Sequence, residues 1–336
     1  MLFFTTHRAE LLTFTLKLQA WKPSITLTGT SHIPSCHGSA IGFKGCMRTR
    51  LKLCSAPLQK NITKKEITKL EKRKIIYYTD ELGDEFSKAK ITPKKIDSSY
   101  VYYHESIFKR ITHFFWYRII AMPLAFVYTK RKFSHKVVGR EKLKACIDSG
   151  YFLYGNHTQD IGDALIPNMM DVGRDKYFIV HPNNVSMPIL GKITPSLGAI
   201  PLPDDLAAYK NFLAALECRI EEKAGVVVYP EAHIWPYYTK IRPFTDTSFA
   251  YPVKLGVPTF CFTNVYLKRK YSREPKIVTY VDGPFYANGE LSPREQRREL
   301  RDAVYTRMCE RAELSDFEKI QYLKKETEND QRTLLR

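Results

Sequence analysis

Between residues 151 and 290, short apolar runs alternate with stretches of helical periodicity. Tyr151-Phe-Leu-Tyr154, Tyr177-Phe-Ile-Val180, Val226-Val-Val-Tyr229, Thr259-Phe-Cys-Phe-Thr-Asn-Val-Tyr266 and Lys276-Ile-Val-Thr-Tyr-Val281 have the length and side chains of strands. Gly155-Asn156 ends the first and Asp282-Gly283 the last. Leu206, Leu213, Leu216 and Ile220 recur with helical spacing; Asp204 and Asp205 offer caps at the start and Gly225 a stop. Ser292-Pro293-Arg294-Glu295 forms a capping box with Pro at the first helical position, opening a charged C-terminal helix. Residues 326–336 read as a frayed end. This alternation predicts an α/β fold, a largely parallel sheet flanked by helices.

Upstream the pattern changes. Ile107 to Tyr128 is strongly aromatic and apolar, bracketed by Lys109 and Arg110 and by Lys130, Arg131 and Lys132. A spanning helix needs about 20 consecutive apolar residues, whereas Arg118 interrupts this run and Pro123 is placed to kink it. The expectation is one helix, or two short ones, lying in the membrane interface. Trp116, Tyr117 and Tyr128 suit the headgroup level, and the flanking cations suit anionic lipid. A buried core helix is the competing reading. Residues 60–74 form a charged helical run with little core. Residues 1–46 read as a transit-type leader or as an extension ahead of a start at Met47, the second being favoured. The resulting division is a basic, disordered leader (1–74), a membrane-associating helical segment (75–140), an α/β domain (141–290), and a C-terminal helix and tail (291–336).

Charge sharpens this division. The 336 residues carry 53 Lys and Arg against 35 Asp and Glu, a net charge of +18, which points to an anionic partner. Residues 1–46 hold +3, residues 47–150 hold +14 and residues 151–336 only +1. The excess therefore surrounds the aromatic stretch, which favours an anionic phospholipid membrane, approached from its cytoplasmic face. No zinc-finger, RNA-recognition or glycine-loop signature supports nucleic acid. Seven cysteines, irregularly spaced and without a CxxC pair, suggest neither a disulfide framework nor a metal site. Cys218 and Cys261 read as small core residues, and a reducing, intracellular compartment fits.

In parallel α/β folds, chemistry gathers where strands end. Two strand ends carry unusual polar groups: Gly155-Asn156-His157-Thr158-Gln159-Asp160-Ile161-Gly162-Asp163, and Tyr229-Pro230-Glu231-Ala232-His233. A histidine just past a strand, with a carboxylate in reach, makes a general base. The carboxylate holds one ring N–H, and the second nitrogen is left to take a proton. Both Asp160 and Asp163 qualify by distance along the chain.

These blocks resemble the glycerolipid acyltransferase superfamily, the PlsC-like lysophospholipid acyltransferases. That family has Asn-His-x4-Asp after a strand, similar to Asn156-His157 followed by an Asp. Its later blocks resemble Gly198-Ala-Ile-Pro-Leu-Pro-Asp204, Tyr229-Pro230-Glu231-Ala232 with Lys240-Ile-Arg242-Pro243-Phe244 downstream, and Val257-Pro258-Thr-Phe-Cys-Phe262. The order agrees from about residue 105 to 285. The family spacing would place an Asp at Gly162; Asp163 lies one residue further and reaches His157 only if the segment between is not regular helix. Asp163 is favoured, because Asp-Ala and an apolar run follow it as in the family. The resemblance implies acyl transfer in phospholipid biosynthesis, from acyl-CoA or acyl-carrier protein to a hydroxyl of a lysolipid acceptor. His157 and Asp163 would be catalytic, and Asn156, Glu231, Lys240 and Arg242 substrate-binding, with no metal or organic cofactor. In phosphate-handling members basic residues close the second block and follow the third, where this chain has Asp204-Asp205 and Ala232-His233. That departure and the shifted spacing motivate an alternative, a catalytically inactive lipid-binding or scaffold protein on the same fold.

Overall fold

All five apolar runs form strands of one sheet in the computed structural model, which describes residues 74–86, 91–102 and 106–325. The expectations for the leader up to residue 73 and for the tail from 326 lie outside the described residues. Seven strands contribute: β2 (Lys136–Val138), β3 (Tyr151–Gly155), β4 (Lys176–Val180), β5 (Ala199–Pro201), β6 (Gly225–Val228), β7 (Thr259–Leu267) and β8 (Lys276–Phe285). Their order is β2-β8-β7-β3-β6-β4-β5. Every pairing is parallel except the β7–β8 hairpin. The fold is therefore α/β with a largely parallel sheet, and β3 lies at its centre. β8 runs past Asp282-Gly283, where a break was expected. An irregularity in its pairing opposite Thr259 and Cys261 absorbs Gly283, whose φ of 120° suits glycine.

Strand β3 is buried on both sides, and its alternation divides the core. Phe152 and Tyr154 pack with Val226, Val228 and Cys261 against Phe212 and Leu216 of α2 (Leu206–Glu221) and Leu300, Val304 and Met308 of α3 (Pro293–Ala312). Tyr151 and Leu153 pack with Val227, Phe260 and Phe262 against Phe133, Leu143 and Ile166 on the opposite face. Each large apolar side chain so buried is worth about 1.5–3 kcal/mol. The Ser292 box caps α3 as its sequence requires. Asp205 caps α2 through the Ala208 N–H at 2.8 Å, while Asp204 accepts the Ile96 N–H at 2.6 Å. Two details depart from the periodicity. Leu206 is 77% exposed at the helix entrance, and Ala208 and Phe212 carry the buried stripe instead. The chain leaves α2 through Lys223 at φ 60°, so Gly225 opens β6 rather than stopping the helix.

Residues Ile107–Phe133 form one continuous helix of 27 residues, α1, long and apolar enough by length and composition to cross a membrane. Its middle, Phe114–Ala121, adopts the wider i→i+5 register just ahead of Pro123, which has no N–H to donate. Arg118 does not interrupt an apolar surface. It turns to the body of the fold, bonding the carbonyls of Val172 and Gly173 and pairing with Asp175 at 2.5 Å. Tyr117, expected at headgroup level, is buried: its hydroxyl donates to Asn168 Oδ1 and accepts the Lys176 N–H at 2.8 Å. The opposite side exposes Phe108, Ile111, Phe114, Phe115, Ile119, Leu124, Phe126 and Val127.

Neither flanking segment is purely helical. β1 (Lys74–Tyr78) pairs in parallel with β9 (Ile320–Lys324), making a separate two-stranded clasp. Tyr78 and Tyr322 of this clasp, with Phe86, surround Trp235 at centroid distances of 4.8–5.2 Å.

Candidate active site

The site grows from the carboxyl end of β3. Gly155 is required there because a Cβ would overlap the Phe262 ring. Asn156 then turns inward and fastens the loop to β7. Its Oδ1 accepts the Asn264 N–H at 2.8 Å and its Nδ2 donates to the Asn264 carbonyl at 3.2 Å. These bonds engage the side chain expected to bind substrate as a brace between strands. Behind it, Asn264 Oδ1 accepts from Thr279 Oγ1 at 2.7 Å, and Thr279 Oγ1 lies 2.8 Å from His135 Nε2. Burial and the nearby cations Lys130 and Arg140 hold the His135 pKa down at about 4.

Residues 156–161 form no regular helix, so the six-residue separation closes. His157 Nδ1 donates to Asp163 Oδ2 at 2.8 Å, and the same oxygen accepts the Gln159 N–H at 2.8 Å. Asp160 is exposed and takes no part in this pair. Asp163 is fully enclosed. Burial raises its pKa, while the bonds from His157 and the Gln159 backbone oppose that rise. The imidazole stacks on Tyr229 at 4.4 Å between centroids, and the Tyr229 hydroxyl donates to the Asp163 carbonyl at 2.6 Å. The ring is thus fixed by one face and by one nitrogen. Nε2 has no hydrogen-bond partner among the described residues, and the side chain remains 18% accessible.

The second strand end supports the first. Glu231 is buried; its Oε2 accepts the His157 backbone N–H at 3.2 Å and its Oε1 accepts the Arg242 N–H at 3.2 Å. The Arg242 guanidinium lies 3.3 Å from Glu231 Oε2, bonds the carbonyls of His233 and Glu81, and sits 4.9 Å from the Trp235 ring centroid. Burial raises the Glu231 pKa and Arg242 lowers it. Arg242 was expected to meet substrate, but its charge is spent on Glu231 beneath the clasp, because a buried guanidinium needs a counter-charge. Lys240 is exposed and joins none of these bonds.

Sequence reasoning missed Tyr229 as the platform for His157, although its place at the end of β6, beside β3, was a signal. It also missed Tyr266, whose hydroxyl lies 2.7 Å from Thr158 Oγ1 and accepts Gln159 Nε2 at 3.0 Å. Chemically, the arrangement provides an oriented imidazole with one free nitrogen, backed by a buried carboxylate.

No family model and no curated protein matches the chain. Among solved structures, the chain is similar to the crystal structure of the 1-acyl-sn-glycerophosphate (LPA) acyltransferase PlsC from Thermotoga maritima. The identity is 20% and the TM-score 0.42, and the match covers 56% of this chain and 78% of that one.

Proposed function

We propose that the protein is an O-acyltransferase. It moves a fatty acyl group from a thioester, acyl-CoA or acyl-carrier protein, to a hydroxyl of a lysolipid or related glycerolipid acceptor at a membrane surface. The observation that carries this reading is the His157–Asp163 pair at the end of the central strand, with Nε2 unoccupied by any described residue. Nε2 accepts the acceptor's hydroxyl proton as its oxygen attacks the thioester carbonyl. The tetrahedral intermediate collapses by breaking the C–S bond, and the proton passes from the imidazolium to the departing thiolate. Asp163 keeps the imidazole in the needed tautomer and stabilises its charged form. The thiolate leaves readily, so no acyl-enzyme is needed, and the reaction draws on no metal or organic cofactor. Glu231 acts as a positioning residue through the His157 N–H. The exposed apolar side of α1, with Lys130, Arg131 and Lys132 at its end, is the proposed contact with an anionic bilayer.

The test is thioester-dependent acylation of a mixed lysolipid pool, followed by mass spectrometry of the products. His157→Ala is expected to lower turnover by about 10²–10⁴-fold, with Asp163→Asn following it in direction. Wild-type turnover in both variants would sink the dyad. A wild-type protein inert across a broad panel would favour the inactive lipid-binding alternative.

A further inference from the structure

The near-neutral balance of residues 151–336 averages over one strongly basic turn. The β7–β8 connection, Lys268-Arg-Lys-Tyr-Ser-Arg-Glu-Pro-Lys276, carries five cations and one carboxylate. That carboxylate is already engaged: Glu274 accepts Lys319 Nζ at 2.6 Å and the Tyr237 hydroxyl at 3.0 Å. Lys268, Lys270 and Arg273 are exposed, and none of them forms an ion pair with a described residue. Tyr271 stands at the tip, 88% exposed, with the Lys270 ammonium 5.1 Å from its ring centroid.

The turn is joined to two other parts of the molecule. Arg269 Nη1 donates to the Lys132 carbonyl at 2.9 Å, in the last turn of α1, where Lys130 and Arg131 are also exposed. Two distant basic segments are thereby tied together, the second of them at the end of the helix whose outer side is apolar. Through Glu274 the turn also holds Tyr237, whose backbone N–H donates to the Thr158 carbonyl at 2.9 Å, next to His157. An exposed tyrosine among unpaired cations, joined to the basic end of an apolar helix, fits the headgroup layer of an anionic bilayer.

We propose that the β7–β8 turn is a second membrane contact, selective for anionic headgroups, which fixes the His157 loop relative to the bilayer. The proposal rests on the membrane reading of α1, and the experiment separates the two. Flotation of the full chain with vesicles of phosphatidylcholine alone, or of phosphatidylcholine with phosphatidylglycerol, compares wild type with the variant K268Q/K270Q/R273Q. Each cation near an anionic surface contributes roughly fivefold in affinity, so the anionic preference should fall by about a hundredfold. High salt should remove the same preference from wild type, and binding to neutral vesicles should not change. An unchanged thermal midpoint would show that the variant is folded.

Wild-type affinity of the triple variant for anionic vesicles would overturn the proposal while leaving α1 as the membrane element. No wild-type binding to either vesicle would overturn both. Intact vesicle binding, with turnover lost on acyl-carrier-protein thioesters but kept on acyl-CoA, would reassign the turn to an acidic carrier protein.

Discussion

The loop from Asn156 to Asp163 and the outer side of α1 treat solvent in opposite ways. In the loop, the polar side chains of Asn156, Thr158, Gln159 and Asp163 are buried, and each has a protein partner. On α1, apolar side chains are exposed, with Phe108 at 77%. Burying a polar group is tolerated only when it is paired, and a large exposed apolar surface marks a binding surface for something other than water. The contrast separates what the fold completes for itself from what it leaves for its surroundings. Removing a partner in the loop should therefore destabilise the protein, whereas removing apolar groups from α1 should not.

The largest effect is expected at Glu231. Glu231→Gln leaves the Arg242 guanidinium buried without its counter-charge, a loss of about 3–5 kcal/mol read from the urea midpoint. Replacing Arg242 by Met in the same chain should recover part of it. A loss below about 1 kcal/mol would mean that the pair is not the buried support of the loop.

Next is the other half of the contrast. Phe108→Ser, Phe114→Ser and Leu124→Ser combined should leave the urea midpoint nearly unchanged. Vesicle affinity should fall by somewhat over a hundredfold, at roughly 1 kcal/mol per side chain already partly exposed. Equal vesicle binding, or a large loss of stability, would show that this side packs on protein. Tyr117→Phe on the inner side should behave oppositely, costing about 1–3 kcal/mol of stability by leaving buried groups unpaired.

The smallest effect belongs to His135, behind the loop. Its folded pKa of about 4 lies below the ordinary 6.5, so the unfolded chain binds the proton more tightly. Stability should therefore be full above pH 6.5 and fall as pH drops toward 4, by about 2 kcal/mol at pH 5. His135→Gln should flatten that slope in a pH series of urea midpoints. An unchanged slope would take His135 out of the acid response.

Much of this was legible in the sequence where burial is complete. β3 and β6 are apolar on both sides, so their runs needed no periodicity to stand out. A histidine with a carboxylate in reach was legible at the strand end, but Asp163 was preferred over Asp160 only through the family resemblance; Gly155 and Gly162 made the irregular segment it needs plausible. The rest depended on partners far away in the chain. β1 and β9 are short, half-exposed and mixed in character, and each makes sense only against the other. Arg118 reads as a flaw in an apolar run until Asp175 is placed beside it. Arg242 reads as a surface cation until Glu231 is seen beneath it. The basic turn at 268–276 disappeared into an average taken over half the chain.

The clasp also has a consequence for synthesis. About 250 residues separate the beginnings of β1 and β9, which at ~5–20 residues per second is a delay of tens of seconds. During that interval the central sheet can assemble while Trp235 still lacks the cover of Tyr322. The cover over Trp235, and over the Arg242 guanidinium stacked on it, is therefore laid only once β9 has emerged.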